Sequence, residues 1–152
     1  MATILVSGSA GFIGSHVVRA LVARGDGVVG VDNFDPFYSA AIKRDNVKAA
    51  GEHELVEADI CDAAGMGSLF RRMKPKSVIH LAGKAGVRPS IADPVGYARV
   101  NVLGTSIVLA EAARAGVSRV VIATSTPPKR AHSSPLRAPA SPAPASPSAA
   151  RA

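Results

Sequence analysis

The chain has 152 residues, a net charge of +7, one cysteine and only 4% aromatic residues. That length predicts one domain. No stretch approaches the roughly 18 uninterrupted apolar residues of a membrane span, and Cys61 by itself excludes an internal disulfide framework or a multi-thiolate metal site.

Ala2 to Ser7 is a short apolar, β-branched run that ends at Gly8. It predicts a strand buried on both faces. Ile13, Val17, Ala20, Leu21 and Arg24 then fall at helical spacing, and Gly25 and Gly27 end that helix. Gly27 to Asp32 predicts a second buried strand. A loop from Asn33 to Tyr38 leads into a polar helix from about Ser39 to Ala50. His53 to Glu57 predicts a third strand, and Asp62 to Met73 a helix containing Gly65 and Gly67. Ser77 to Ala82 predicts a fourth strand. Pro94 suits the first turn of one long helix that reaches about Ala115 and closes at Gly116. Val117 to Thr124 predicts a fifth strand. Strands alternating with helices at this spacing demand parallel pairing and right-handed crossovers. The expected fold is α/β, an incomplete Rossmann-type parallel sheet of order 3-2-1-4-5 with flanking helices. Strand five is expected to be an under-covered edge that exposes Val120, Val121 and Ile122.

Composition divides the chain. Pro127 to Ala152 is 26 residues, of which 20 are Pro, Ala or Ser, with no acidic residue and Leu136 as its one large aliphatic side chain. Such a segment cannot bury enough apolar surface to offset its ordering entropy. The expected domain is therefore residues 1–126, followed by a disordered tail. Of the net +7, four charges belong to the tail and +3 to the rest. Four spread charges without clustering or aromatic interleaving do not make a nucleic-acid arm, so no nucleic-acid partner is expected. With no hydrophobic span, no membrane partner is expected either. A reduced, cytoplasmic compartment suits the single thiol.

The chemistry sits between strand one and helix one. Gly8, Gly11 and Gly14 are spaced G-x-x-G-x-x-G. Gly8 allows a tight turn, Gly11 lets a pyrophosphate approach the backbone, and Gly14 lets the helix pack closely on the strand. The helix N-terminus then aims N–H groups and a positive dipole at phosphate. Asp32 ends strand two, 18 residues after Gly14, close to the spacing of a ribose-binding acid. Its carboxylate can accept from both ribose hydroxyls and would repel a 2′-phosphate, which favours NAD over NADP. A loop-capping Asp is the competing reading. Asp59 and Ile60 either border an adenine or cap the next turn.

These residues carry a resemblance. Gly8-Ser-Ala-Gly-Phe-Ile-Gly-Ser-His16 resembles the cofactor fingerprint of extended short-chain dehydrogenase/reductases, the NAD-dependent epimerase/dehydratase family. Val31 to Tyr38, His80 to Ser90 and Tyr97 to Asn101 look like UDP-glucuronate 4-epimerases and near nucleotide-sugar relatives. The likeness covers Met1 to about Thr126, roughly half or less of a family member. It implies NAD as cofactor and a UDP-sugar as substrate. It places Ser7, Phe12 and Ile13 at the pyrophosphate loop and Asp32, Asn33 and Phe34 around the adenosine ribose. Asp59 and Ile60 would touch adenine. Leu81, Ala82, Gly83 and Lys84 would track the cofactor past strand four, with Asn101 supporting that loop. Gly83 is often Ala in similar proteins. Ser125 aligns with the hydroxyl that bonds the reacting sugar oxygen, and Arg88 stands where a substrate carboxylate could be met.

The same resemblance implies a Tyr-x-x-x-Lys pair, and the sequence has none. Tyr38 has Ile42 at the fourth position after it, and Tyr97 has Asn101. The expectation is an N-terminal cofactor-binding portion of a nucleotide-sugar 4-epimerase, inactive by itself; a catalytically inactive NAD-binding fragment or a non-enzymatic binding module is the alternative, and a 4,6-dehydratase is the alternative within enzymes. A family-type homodimer would need the part that is lacking. The tail's composition fits out-of-frame reading of GC-rich codons, and a natural solvated tail is the alternative. His16 and His80 have no partners at metal-ligand spacing, so no metal is expected.

Overall fold

The computed structural model describes residues 3–37 and 39–124. The expected tail from 127 onward and Ser125 lie outside the described residues. The elements are β1 (Thr3–Ser7), α1 (Phe12–Ala23), β2 (Gly27–Asp32), α2 (Ala40–Ala49), β3 (Glu54–Glu57), α3 (Ala63–Met73), β4 (Ser77–His80), α4 (Val87–Ala92), α5 (Pro94–Ala98), a π-helical segment (Arg99–Gly104), α6 (Thr105–Arg114) and β5 (Arg119–Ile122). All four strand pairings are parallel, in the order β3-β2-β1-β4-β5. The crossing between β1 and β4 is the point where the winding reverses, and the carboxyl ends of both strands open there.

Alternation along the strands supplies two cores. Leu5, Val31 and Val78 face one side and pack with Met66, Phe70, Val108 and Ala112 from α3 and α6. Val6 and Val28 face the other and pack with Val18 and Leu21 of α1 and with Ala50. Each large side chain buried in this way is worth about 2 kcal/mol. Residues on both faces of the inner strands are therefore apolar, as a covered parallel sheet requires. Asp62 caps α3, accepting from the amides of Ala64 and Gly65 at 3.1 and 3.0 Å. Ser39 caps α2 through the Ala41 amide.

Three expectations need correction. The long helix from Pro94 to Ala115 is not continuous. It is α5, one wide π-helical stretch and α6, and an additional helix, α4, precedes it. A π-helical turn accommodates an extra residue and rotates the helix downstream of it. Here it seats Gly104 against Ile60, where an added Cβ would lie 2.6 Å from Ile60 Cδ1, and turns Thr105 toward His80. The second correction is β4, which ends at His80 rather than Ala82. The Leu81 amide still reaches the Ser7 carbonyl at 3.1 Å and shares its hydrogen with Ser7 Oγ at 3.3 Å, and the Ala82 amide leaves the ladder and donates to Ser7 Oγ at 3.3 Å. The third concerns the edge. Val121 and Ile122 are 49% and 43% exposed, but Val120 packs against the core of α3 and α6.

Candidate functional site

A cleft of about 300 Å³ opens at the carboxyl ends of β1, β2 and β4. Its first wall is the glycine loop. Gly8 adopts φ +72°, and an added Cβ there would meet the Ala82 amide nitrogen at 2.7 Å. At Gly14 an added Cβ would stand 1.9 Å from the Gly8 carbonyl oxygen. Both glycines are thus required by backbone contact, not only by local conformation. Gly11 is the N-cap of α1 and offers no side-chain oxygen to the first turn. The helix therefore begins with amide donors uncapped by any side chain and with its positive end at the cleft. Gly8, Gly11, Phe12, Ile13 and Gly14 all line the cleft. Phe12 and Ile13 are 74% and 61% exposed at its mouth, a costly placement for apolar side chains unless a ligand covers them.

The floor is the end of β2. Asp32 is 6% exposed. Its Oδ2 accepts from the Ala10 amide at 3.1 Å, and its Oδ1 accepts from the Phe34 amide at 2.8 Å. The ammonium of Lys43, on α2, donates to the same Oδ1 at 3.0 Å. Asn33 accepts from the Asp35 amide at 3.0 Å and shapes the loop. Phe34, at φ +53°, turns outward beneath the Arg44 guanidinium, 5.0 Å from its ring centre, and does not line the cleft. Asp59 accepts from the Cys61 amide at 2.8 Å, and its carboxylate and the buried Ile60 both border the cleft. Burial, reinforced by Asp59, holds the Cys61 thiol above its ordinary pKa, so it is a poor nucleophile at neutral pH.

The second wall is the segment after β4. Ser7 is fully buried and does not line the cleft. It lies under the wall, with its Oγ 2.6 Å from His80 Nδ1. That hydroxyl accepts from the Ala82 amide and shares the Leu81 amide with the Ser7 carbonyl, so its own hydrogen goes to the ring. Nε2 then carries the imidazole proton and donates to Thr105 Oγ1 at 2.9 Å. Burial lowers the His80 pKa, which favours this neutral form. Leu81, Ala82, Gly83 and Lys84 line the cleft. Asn101, in the π-helical segment, clamps Lys84: its Oδ1 accepts from the Lys84 amide at 2.8 Å and its Nδ2 donates to the Lys84 carbonyl at 2.9 Å. The Lys84 ammonium lies 3.9 Å from Asp35 and 3.8 Å from Asp93. Arg88 is exposed on α4 and outside the cleft.

Sequence reasoning overlooked Lys43, Asp35, Phe37 and Val100, which all line the cleft. Lys43 carries little signal of its own, since a lysine eleven residues past Asp32 reads as one more charge on a polar helix. Among the described residues no cluster of His, Cys, Asp and Glu could hold a metal ion, and no helix is long and apolar enough to cross a membrane.

Comparison with known proteins agrees with this architecture. The chain matches the family model described as GDP-mannose 4,6 dehydratase over residues 5–127. It is 43% identical over 105 residues to UDP-glucuronate 4-epimerase 4 of Arabidopsis thaliana, covering 67% of this chain and 24% of the relative. It is 46% identical over 118 residues to UDP-glucose 4-epimerase of Mycolicibacterium smegmatis, covering 77% of this chain and 36% of that protein. Among solved structures, UDP-glucose 4-epimerase of Bifidobacterium longum in complex with NAD+ and UDP superimposes with a TM-score of 0.72 at 30% identity, over 82% of this chain and 37% of the other. The chain therefore spans between a quarter and a little over a third of the length of these relatives. A Rossmann-type parallel sheet, a glycine loop at its switch point and a match over most of the described residues place this chain in the NAD-dependent epimerase/dehydratase family, matching the N-terminal portion of its members.

Proposed function

We propose that this chain binds NAD in the cleft and is the cofactor-binding portion of a UDP-sugar 4-epimerase of the UDP-glucuronate type. The observation that carries the reading is the α1 N-terminus without a capping side chain, set across the cleft from Asp32. Phe12, Ile13 and Gly14 present amides and the helix dipole to a pyrophosphate, while the Gly8 and Gly11 amides close the loop itself by donating to the Val31 and Gly8 carbonyls. Asp32 accepts a ribose hydroxyl. Asp59 and Ile60 border the adenine, and Leu81 to Lys84 flank the far half of the dinucleotide. The fit is supported by the backbone approach at Gly8 and Gly14, where any Cβ would fill the cradle. NAD, when bound, supplies a reversible hydride store.

Chemistry at the sugar also needs a general base, and this sequence holds no Tyr-x-x-x-Lys pair. The 152 residues are accordingly proposed to bind without turning over. Ser125 and Arg88 remain proposed contacts to the sugar, the first outside the described residues. A 4,6-dehydratase is the second reading, favoured by the description of the family model that matches. Cytoplasmic residence is part of the same proposal. The test is calorimetric titration of the purified chain with NAD, together with an assay for C4 epimerisation of UDP-glucuronate. Saturable NAD binding without turnover is the expected result. A folded chain that ignores NAD would overturn the cofactor reading, and turnover would overturn the claim of an incomplete site.

A further inference from the structure

Three carboxylates line the cleft, and each is faced by a cation. Asp32 meets Lys43 at 3.0 Å, Asp35 meets Lys84 at 3.9 Å, and Asp59 meets Arg99 at 3.9 Å. The first pair differs from the others in burial. Its side chains are only 8% and 5% exposed, so solvent screens it least. Lys43 is also held in place from two sides. Its helix begins at the Ser39 cap, and one turn further Asn46 Nδ2 donates to the Ala10 carbonyl at 3.0 Å. That bond fastens α2 to the glycine loop and sets the ammonium beside the ribose-binding carboxylate.

This placement has two consequences for recognition. An ionised carboxylate has about four acceptor positions. Ala10, Phe34 and Lys43 occupy three at Asp32, so one remains for a ribose hydroxyl instead of two. The pair is also neutral overall. A 2′-phosphate approaching Asp32 meets an ion pair, not a bare anion, and like-charge repulsion is the usual ground for rejecting it.

We propose that Lys43 sets the dinucleotide preference of this site by cancelling the charge of Asp32, so that NADP is rejected only weakly. This rests on the cofactor reading above. Removing the Asp32 carboxylate would turn the same ammonium into a receptor for the 2′-phosphate.

The test measures NAD and NADP affinity by calorimetry on the full chain and on Asp32→Asn, Lys43→Gln, Lys43→Arg and the Asp32→Asn/Lys43→Gln double variant, with folding checked by circular dichroism. Wild type is expected to prefer NAD by about tenfold or less. Lys43→Gln bares the carboxylate and is expected to raise that preference by about tenfold more, whereas Lys43→Arg keeps the wild-type ratio. Asp32→Asn is expected to reverse the preference, and the double variant to lose the reversal. A merely structural lysine would weaken both dinucleotides equally, and that outcome overturns the proposal. If Lys43→Gln does not fold, the Asp32→Asn ratio decides: no gain in NADP binding overturns the proposal. A folded wild type that binds neither dinucleotide fails the cofactor reading itself, a distinct result.

Discussion

The two walls of the cleft are built by different means. The glycine-loop wall is set by backbone meeting backbone: β1 turns at Gly8, α1 starts at Gly11, and Gly14 touches the Gly8 carbonyl. The wall after β4 is set by side chains. Ser7, His80 and Thr105 form a chain of hydrogen bonds beneath it, and Asn101 clamps Lys84 from the π-helical segment. A wall made of backbone contact has no slack, because every atom in it belongs to an element that cannot move alone. A wall held by side chains yields by degrees, one bond at a time.

That contrast orders the expected effects. Gly14→Ala puts a carbon 1.9 Å from a carbonyl oxygen, with backbone on every near side. It is expected to cost about 3 kcal/mol or more in urea unfolding and to abolish NAD binding. If the variant keeps both stability and binding, the backbone wall is softer than its geometry says. On the other wall, Asn101→Ala removes two bonds to the Lys84 backbone. A loss of about 1–2 kcal/mol is expected, with faster hydrogen exchange at Lys84. Exchange unchanged at that amide would show that the clamp holds nothing.

The His80 network gives a smaller and conditional effect. Its pKa is lowered in the folded chain below the ordinary 6.5. As pH falls through 6.5, the unfolded chain takes up the proton first. The contribution to stability is therefore intact above 6.5 and is lost as pH drops toward the folded pKa, by at most about 1.4 kcal/mol per pH unit. Carboxylates also titrate as the pH drops further, so the measurement is the difference between wild type and His80→Gln from pH 7 to 5. Parallel profiles would remove His80 as the cause. The smallest effect is at Gly83, where an added Cβ lies 3.2 Å from Asn101 Oδ1. A few tenths of an ångström of side-chain movement relieves that contact. The smaller conformational entropy of the unfolded chain once glycine is replaced offsets the adjustment. Gly83→Ala is expected to change stability by less than about 1 kcal/mol, by thermal unfolding.

The same division explains what could be read in advance. The glycine-loop wall was legible because its requirements are local. A strand, a turn that only Gly8 tolerates, a close approach at Gly14 and an acid at the end of the next strand all leave marks at fixed spacing. The β4 wall was less so. Pro94 and the run to Gly116 have the composition of one helix, and nothing in their period marks the wide turn at Arg99–Gly104. Its cause lies elsewhere in the fold, in Ile60 against Gly104 and His80 against Thr105. Lys43 is the same case, because its value comes from an acid eleven residues away that only the crossing of β2 and α2 brings to 3.0 Å.

Residue order alone specified the alternation of strands and helices, their parallel pairing, the glycine cradle and the absence of a Tyr-x-x-x-Lys pair. These come from periodicity, from the conformational freedom of glycine and from the presence or absence of a side chain. The tertiary structure decided where β4 stops, why the last long helix breaks, and that Asp32 is a neutralised acid and not a bare one. Those outcomes depend on contacts between groups distant in the chain, whose energies exist only once the sheet has closed around them.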